Sequence, residues 1–143
     1  KFLEYYAAHV AETSKTYDEC SDLLDHLKAM YIPLAICTNK PRKLALSLME
    51  KLKIDHYFGA ICGGDSFDFN KPDPRHLIET SALLPGEGAC VMIGDSIHDI
   101  DAAKAANFPA IGVSYGYSPI EMAQLEPTKV VHSLVEIKAL ITR

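Results

Sequence analysis

The chain has 143 residues, of which 48% are hydrophobic and 23% charged, and its formal net charge is −5. This length and composition indicate one soluble globular domain with a buried core. The acidic balance argues against nucleic acid as a partner, because phosphate backbones are bound by basic faces. No apolar run approaches the ~20 residues that cross a bilayer, and we therefore expect no membrane partner.

The hydrophobic pattern predicts helices and strands in alternation along the chain. A first helix is expected over residues 1–13, before the alternation begins. Short apolar runs predict strands at 33–37, 60–62, 89–93, 110–113 and 129–131. Amphipathic stretches, two of them opened by a proline, predict helices at 18–30, 40–53, 74–84, 97–106, 119–124 and 133–141. This alternation predicts an α/β fold of three layers, a Rossmann-like parallel sheet with helices on both faces.

The four cysteines, Cys20, Cys37, Cys62 and Cys90, are widely spaced and include no CxxC pair. Zinc-ribbon and thioredoxin-type sites are therefore excluded. Cys37 and Cys62 lie inside predicted strands, where we expect them to be small buried side chains. Free buried thiols are typical of a reducing compartment, and we expect a cytoplasmic location.

Polar side chains follow three of the predicted strands, at the edge of a parallel sheet where ligands bind. Thr38 and Asn39 follow the strand at 33–37, and Lys71 lies a few residues beyond the strand at 60–62. Asp95 and Asp99 follow the strand at 89–93. A hydroxyl, an ammonium group and a pair of carboxylates are suited to a phosphate group and Mg²⁺.

Three segments of the chain resemble the second, third and fourth motifs of the haloacid dehalogenase superfamily, in the family's order: LAICTNK, NKPDP and VMIGDSIHDIDAAKAAN. Thr38 matches the residue that ends the second motif's apolar strand, and Lys71 matches the lysine of the third. Asp95 and Asp99 match the acidic pair of the fourth. The stretch GVSYGY, at residues 112–117, is similar to a loop of the phosphoglycolate phosphatases, and the resemblance extends over nearly all of the chain from about Asp18.

The resemblance implies a Mg²⁺-dependent phosphoric monoester hydrolase of the phosphoglycolate phosphatase type, acting on a small phosphorylated metabolite through an aspartyl-phosphate. It implies that Thr38 and Asn39 bind the phosphoryl group and that Lys71 offsets negative charge, which makes Thr38 and Lys71 catalytic. Asp95 would bind Mg²⁺, and Asp99 would either support the metal through water or orient Lys71.

Two further residues of the fourth motif, Ser96 and His98, are candidates for contact with substrate. For His98 an exposed helical position is favoured over contact with substrate. The other site residues also have plainer interpretations. Thr38 and Asn39 suit a helix cap, Lys71 suits an exposed loop, and acidic residues after a strand suit a helix N-terminus.

The family's first motif, DxDGT, does not occur in these 143 residues. Its first Asp is the nucleophile and its second the general acid/base, and we therefore expect the chain alone to be inactive. We also expect a haloacid dehalogenase-like core that is incomplete at the N-terminus. Residues 1–17 would be a remnant of a helical cap or linker, and residues 18–143 a core domain without its first strand.

In family members the missing strand is central, between the strands that end before Thr38 and Asp95. Its loss would expose two apolar strand edges, which favour pairing with another chain. We therefore expect a homodimer or strand exchange, unless the two flanking strands close on each other. The alternative to a phosphatase is a non-catalytic, truncated relative that acts as a binding or oligomerisation module.

Overall fold

The computed structural model describes residues 2–4, 17–86, 90–94, 96–113, 122–132 and 136–137. The strands of these residues are β1 (Phe2–Glu4), β2 (Leu34–Cys37), β3 (Ala60–Cys62), β4 (Val91–Gly94), β5 (Ala110–Val113) and β6 (Lys129–Val131). They form one sheet in the order β3-β2-β1-β4-β5-β6, and every neighbouring pair is parallel. The predicted α/β class and parallel sheet are confirmed.

The α-helices of the described residues are α1 (Tyr17–Ala29), α2 (Arg42–Lys51), α3 (Pro74–Ala82) and α4 (Ile97–Ala105). Their bounds agree with the prediction to within two residues. Of the helix expected at 119–124, residues 122–124 are described, and they belong to a 3-10 helix, Met122–Leu125. A second 3-10 helix, Asp55–Tyr57, was not predicted. Of the last predicted helix only residues 136–137 are described, and these are helical. No helix in the described ranges has the length and apolar character needed to span a membrane.

Alternate side chains of the central strands enter two separate cores, one on each face of the sheet. Ile36 of β2 and Ile93 of β4 pack in the core that contains residues of α1 and α2. Ala35, Cys37 and Met92 pack in the core that contains residues of α3 and α4. A strand that is buried on both faces has a continuous run of apolar residues in its sequence. Short apolar runs were therefore sufficient to predict these strands.

β1 lies between β2 and β4, where Phe2 pairs with Leu34 on one side and Val91 on the other. The expected helix over residues 1–13 is therefore wrong at residues 2–4. The alternative that the two flanking strands close on each other is also wrong, because β1 separates β2 from β4. Pairing on both sides satisfies backbone groups that would otherwise be buried without partners, and this outweighs the helical pattern of a short segment.

The core has a strand at the central position, but its sequence, FLE, is not the DxDGT motif. Residues 5–16 lie outside the described residues, and their assignment to a cap remnant or linker stays a prediction. The oligomeric state also stays a prediction, although the unpaired edges that motivated strand exchange are occupied by β1.

We expect Leu3→Pro to lower the free energy of unfolding by about 1–3 kcal/mol, because proline removes a backbone donor from a strand that is paired on both sides. Leu3→Val is the matched control, since it keeps the N–H and a good strand-forming side chain. Urea unfolding of the three proteins measures the difference. Equal stability of the Pro and Val variants would contradict the central position of β1.

Candidate active site

Thr38 is fully buried at the carboxyl end of β2. Its N–H donates to the carbonyl of Cys62 over 3.0 Å, and its Oγ1 accepts from the N–H of Lys40 over 3.1 Å. The interpretation of Thr38 as a cap of α2 is wrong, because Pro41 occupies the N-cap position and no side chain caps it. The backbone around Thr38 is therefore held by the neighbouring strand end and by its own hydroxyl.

Two glycines after β3 allow the loop that follows Thr38 to approach closely. A Cβ atom at Gly63 would lie 2.2 Å from the backbone nitrogen of Arg42, and one at Gly64 would lie 2.2 Å from the carbonyl oxygen of Asn39. The Asp65 carboxylate also accepts from the Arg42 N–H over 2.8 Å, at the start of α2. The loops after β2 and β3 are consequently packed against each other, and any larger side chain at these two positions would separate them.

Asn39 joins its loop to the segment that carries Lys71. Its Nδ2 donates to the Lys71 carbonyl over 2.9 Å, and its Oδ1 accepts from the Lys71 N–H over 3.0 Å. The Lys71–Pro72 peptide bond is cis. The paired amide contacts hold the backbone of Lys71 beside the end of β2, although the two residues are far apart in the sequence.

Lys71 is only 2% exposed, and its interpretation as a solvated loop residue is therefore wrong. Its Nζ lies 2.5 Å from Oδ1 of Asp99 and 2.7 Å from the carbonyl oxygen of Cys37. A buried ammonium group is costly to desolvate unless it is paired and hydrogen-bonded, and both conditions are met here. The site thus has a positive charge with a fixed position next to Thr38.

Asp99 is fully buried in the first turn of α4. Its Oδ2 accepts from the N–H and hydroxyl of Ser96 over 3.2 and 3.1 Å, while the Ser96 hydroxyl accepts from the Asp99 N–H. This is a reciprocal capping box, which fixes the carboxylate at the N-terminus of the helix. A Cβ at Gly94 would lie 2.4 Å from Cβ of Asp99, and glycine at the end of β4 is what allows this approach.

The remaining predicted site residues are placed as follows. Ser96 caps α4, and His98 is exposed on the same helix. Asp95 lies outside the described residues. The structure therefore brings together Thr38, Asn39, Lys71 and Asp99, and their proposed roles in binding phosphate stay predictions.

His76 is a buried residue of this site that the sequence analysis did not identify. Its Nδ1 lies 3.2 Å from the Lys71 backbone nitrogen, and its Nε2 lies 3.1 Å from the Gly63 carbonyl oxygen. Burial, and then the positive charge of Lys71, lower the pKa of His76 from 6.5 to about 4. The sequence contained one signal for the burial of this residue. His76 is next to Leu77 and four residues before Thr80, and all three lie on the buried side of α3.

The described residues do not by themselves form a metal site. Within the described ranges no three His, Cys, Asp or Glu side chains are grouped so as to hold a metal ion. The Asp99 carboxylate is hydrogen-bonded to Lys71 and Ser96. Since Asp95 lies outside the described residues, a Mg²⁺ site here stays a prediction.

Comparison with known proteins gives consistent matches. Residues 1–113 match the model of a protein family described as haloacid dehalogenase-like hydrolase. The phosphoglycolate phosphatase of Agrobacterium fabrum is 43% identical over 132 residues, which are 92% of this chain and 57% of that protein. The phosphoglycolate phosphatase of Mesorhizobium japonicum is 40% identical over 131 residues, or 91% of this chain and 58% of that protein. The chain therefore spans less than two thirds of the length of these relatives.

Solved structures agree with the sequence matches. A predicted phosphoglycolate phosphatase from Haemophilus somnus has a TM-score of 0.75 and 33% identity, covering 84% of this chain and 54% of that one. A predicted phosphatase from Clostridium acetobutylicum has a TM-score of 0.74 and 31% identity. The match covers 87% of this chain and 59% of that one. The family match begins at residue 1, which is earlier than the motifs recognised from about Asp18.

We expect Lys71→Met to lower the free energy of unfolding by about 3–5 kcal/mol, because it leaves the Asp99 carboxylate buried without its cation. Combining it with Asp99→Asn should cost clearly less than the sum of the two single changes. Urea unfolding of the four proteins measures this coupling. The exposed Asp73–Arg75 pair is the control, where Arg75→Met and Asp73→Asn should be nearly additive. Additive effects at Lys71 and Asp99 would contradict the ion pair.

Between pH 6.5 and 4, we expect the free energy of unfolding to fall more steeply with decreasing pH in the wild-type chain than in the His76→Asn variant. The folded-state pKa of His76, about 4, lies below its ordinary value of 6.5, and the unfolded chain therefore binds a proton first as the pH falls. The stabilisation is complete above pH 6.5 and is lost as the pH approaches 4, a difference on the order of 3 kcal/mol. Unfolding free energies at several pH values test this, and parallel profiles for the two proteins would refute it.

Proposed function

Because the chain belongs to the haloacid dehalogenase-like hydrolase family, we propose that it forms the phosphate-binding core of a Mg²⁺-dependent phosphoric monoester hydrolase. The observation that carries the proposal is the buried Lys71 ammonium group, fixed by Asp99 next to Thr38 at the edge of the sheet. The named curated relatives are phosphoglycolate phosphatases, which favours a small phosphorylated metabolite of that type as the substrate.

Lys71 would offset the negative charge of the transferring phosphoryl group. Its ammonium group is a compact charge that does not have to reorganise, because Asp99 and the Cys37 carbonyl already hold it. Preorganised charge in a site of low dielectric constant is generally the largest contribution to this kind of catalysis. We infer that this geometry serves the transition state rather than only the stability of the core.

Thr38 would bind a phosphoryl oxygen through its hydroxyl. Its Oγ1 already accepts a hydrogen bond from Lys40, and the hydroxyl hydrogen is then the group that can donate to an incoming anion. Asn39 would contribute its backbone amide, since its side chain is engaged with the Lys71 backbone. Both residues lie at the carboxyl end of β2, where parallel sheets bind ligands.

Of the two roles that the resemblance leaves open for Asp99, the ion pair favours the orientation of Lys71. We propose Asp95 as the protein's carboxylate ligand to Mg²⁺, since it follows β4 directly in the sequence. When bound, Mg²⁺ would neutralise charge on the phosphate oxygens. Lys71, oriented by Asp99, would hold the substrate's phosphate in the orientation that the reaction needs.

The nucleophile is the missing part of this proposal. β1 lies at the centre of the sheet, but the sequence FLE does not provide the DxDGT carboxylates. We therefore propose that the 143-residue chain has no turnover by the family mechanism. We also propose a cytoplasmic location, because Cys37, Cys62 and Cys90 are buried free thiols, as a reducing compartment favours.

The test compares two proteins in hydrolysis of phosphoglycolate and p-nitrophenyl phosphate with Mg²⁺. One is the 143-residue chain. The other is a chimeric enzyme in which the part of the Agrobacterium fabrum relative that this chain does not match replaces residues 1–16, so that its first strand can take the central position of β1. We expect turnover only by the chimeric enzyme, and we expect Lys71→Met and Asp95→Asn each to reduce its kcat by at least about 100-fold.

The test distinguishes a failure of the proposed function from a failure of the proposed inactivity of the chain alone. A folded chimeric enzyme without turnover would contradict the proposed function. Turnover by the 143-residue chain at the rate of the intact relative would contradict its proposed inactivity. In the chimeric enzyme, Arg75→Met is the control for loss of a cation, because Arg75 is paired with Asp73 at an exposed position on α3. Its kcat should stay within twofold of the parent value.

A further inference from the structure

We propose that His76 is a positioning residue, which fixes the backbone of Lys71 relative to the end of β3 and thereby sets where the Lys71 ammonium group lies. The proposal rests on the proposed function in one respect, namely that Lys71 acts on a phosphoryl group. Its structural part stands on two contacts of the imidazole ring, one to the backbone of Lys71 and one to the backbone of Gly63.

These contacts determine the tautomer of His76. The Lys71 N–H can only donate, and the Nδ1 atom that faces it must accept. The Gly63 carbonyl can only accept, and the Nε2 atom that faces it must carry the hydrogen. The ring is therefore neutral with its hydrogen on Nε2, and it joins two backbone segments that precede and follow the loop 64–70.

The Lys71 N–H is shared between two acceptors on different elements. Asn39 Oδ1 accepts at 3.0 Å, and His76 Nδ1 accepts at 3.2 Å in a buried contact. Asn39 fixes Lys71 relative to the loop after β2, whereas His76 fixes it relative to α3 and β3. With both present, the lysine backbone has little freedom, and its side chain extends from a defined point towards Asp99.

His76 itself is held rigidly. Its carbonyl accepts from the Thr80 hydroxyl over 2.6 Å and from the Cys37 thiol at 3.7 Å. The ring of Phe67 packs edge-on against the imidazole, with 5.9 Å between ring centres. The residue that holds Lys71 is thus anchored to β2 and to its own helix, which is what a positioning role requires.

Three substitutions in the chimeric enzyme separate the two contacts. His76→Leu removes both. His76→Asn keeps an acceptor near the position of Nδ1, and His76→Gln keeps an amide near the position of Nε2. We expect His76→Leu and His76→Gln to lower kcat by about 10- to 100-fold with a smaller change in KM, because a small misplacement of a catalytic group is enough for such a loss. His76→Asn should recover most of the lost kcat.

Ser81→Ala is the matched control, because it removes a hydrogen bond of the same helix, from the Ser81 hydroxyl to the Ile78 carbonyl, that involves neither His76 nor Lys71. Its kcat should remain within twofold of the parent enzyme. An equal loss in His76→Leu and His76→Asn would overturn the proposal. So would an unchanged kcat in His76→Leu, or a loss in Ser81→Ala as large as that in His76→Leu.

A second measurement does not depend on activity. In the 143-residue chain, ¹⁵N NMR of the His76 ring at pH 7 should show the neutral form with its hydrogen on Nε2, and the Lys71 amide resonance should shift in His76→Leu but much less in His76→Asn. A ring protonated at pH 7, or one with its hydrogen on Nδ1, would overturn the proposal. An inactive parent chimeric enzyme would count against the proposed function alone, and the NMR result would then decide the positioning role.

Discussion

The site depends on one buried ion pair, between the Lys71 ammonium group and the Asp99 carboxylate. Charges in a protein interior are tolerated only where they are paired and their remaining hydrogen-bonding capacity is used. Here the Cys37 carbonyl supplies a further acceptor for the lysine, and Ser96 supplies donors for the aspartate. The pair therefore requires the end of β2, the segment of Lys71 and the N-terminus of α4 to meet at one place, and this requirement explains why small or polar residues are found at the points of contact.

The central strand sets the distances that this pair has to span. Neighbouring strands of a sheet are about 4.8 Å apart, and with β1 between them the ends of β2 and β4 are separated by about twice that distance. Lys71 contacts the carbonyl at the end of β2 and the aspartate of the helix that follows β4, and it therefore bridges this separation. If β2 and β4 were direct neighbours, the same contacts would require a different geometry. A strand at this position thus preserves the arrangement of the site even though its sequence lacks the nucleophile motif.

Polar groups with several functions are concentrated at the edge of the sheet. Asp99 both caps its helix and binds Lys71, and Asn39 binds both backbone groups of Lys71. His76 joins the segment of Lys71 to the end of β3. Because each group has more than one partner, changing any of them should affect both stability and geometry, and only matched substitutions separate the two effects. The apolar cores on the two faces of the sheet make the edge rigid enough for such contacts to be maintained.

The sequence by itself determined the layers, the parallel strands from Leu34 to Val131 and the edge at which Thr38, Lys71 and Asp99 meet. Short apolar runs buried on both faces, ordered motifs and the rule that ligands bind beyond strand ends are local signals, and each can be recognised without coordinates. The tertiary structure alone decided that residues 2–4 complete the sheet, that Asp99 is paired directly with Lys71, and that His76 holds the lysine backbone. These features depend on contacts between residues distant in sequence. Backbone pairing and the desolvation of buried charge, which favour those contacts, arise only when the chain has folded.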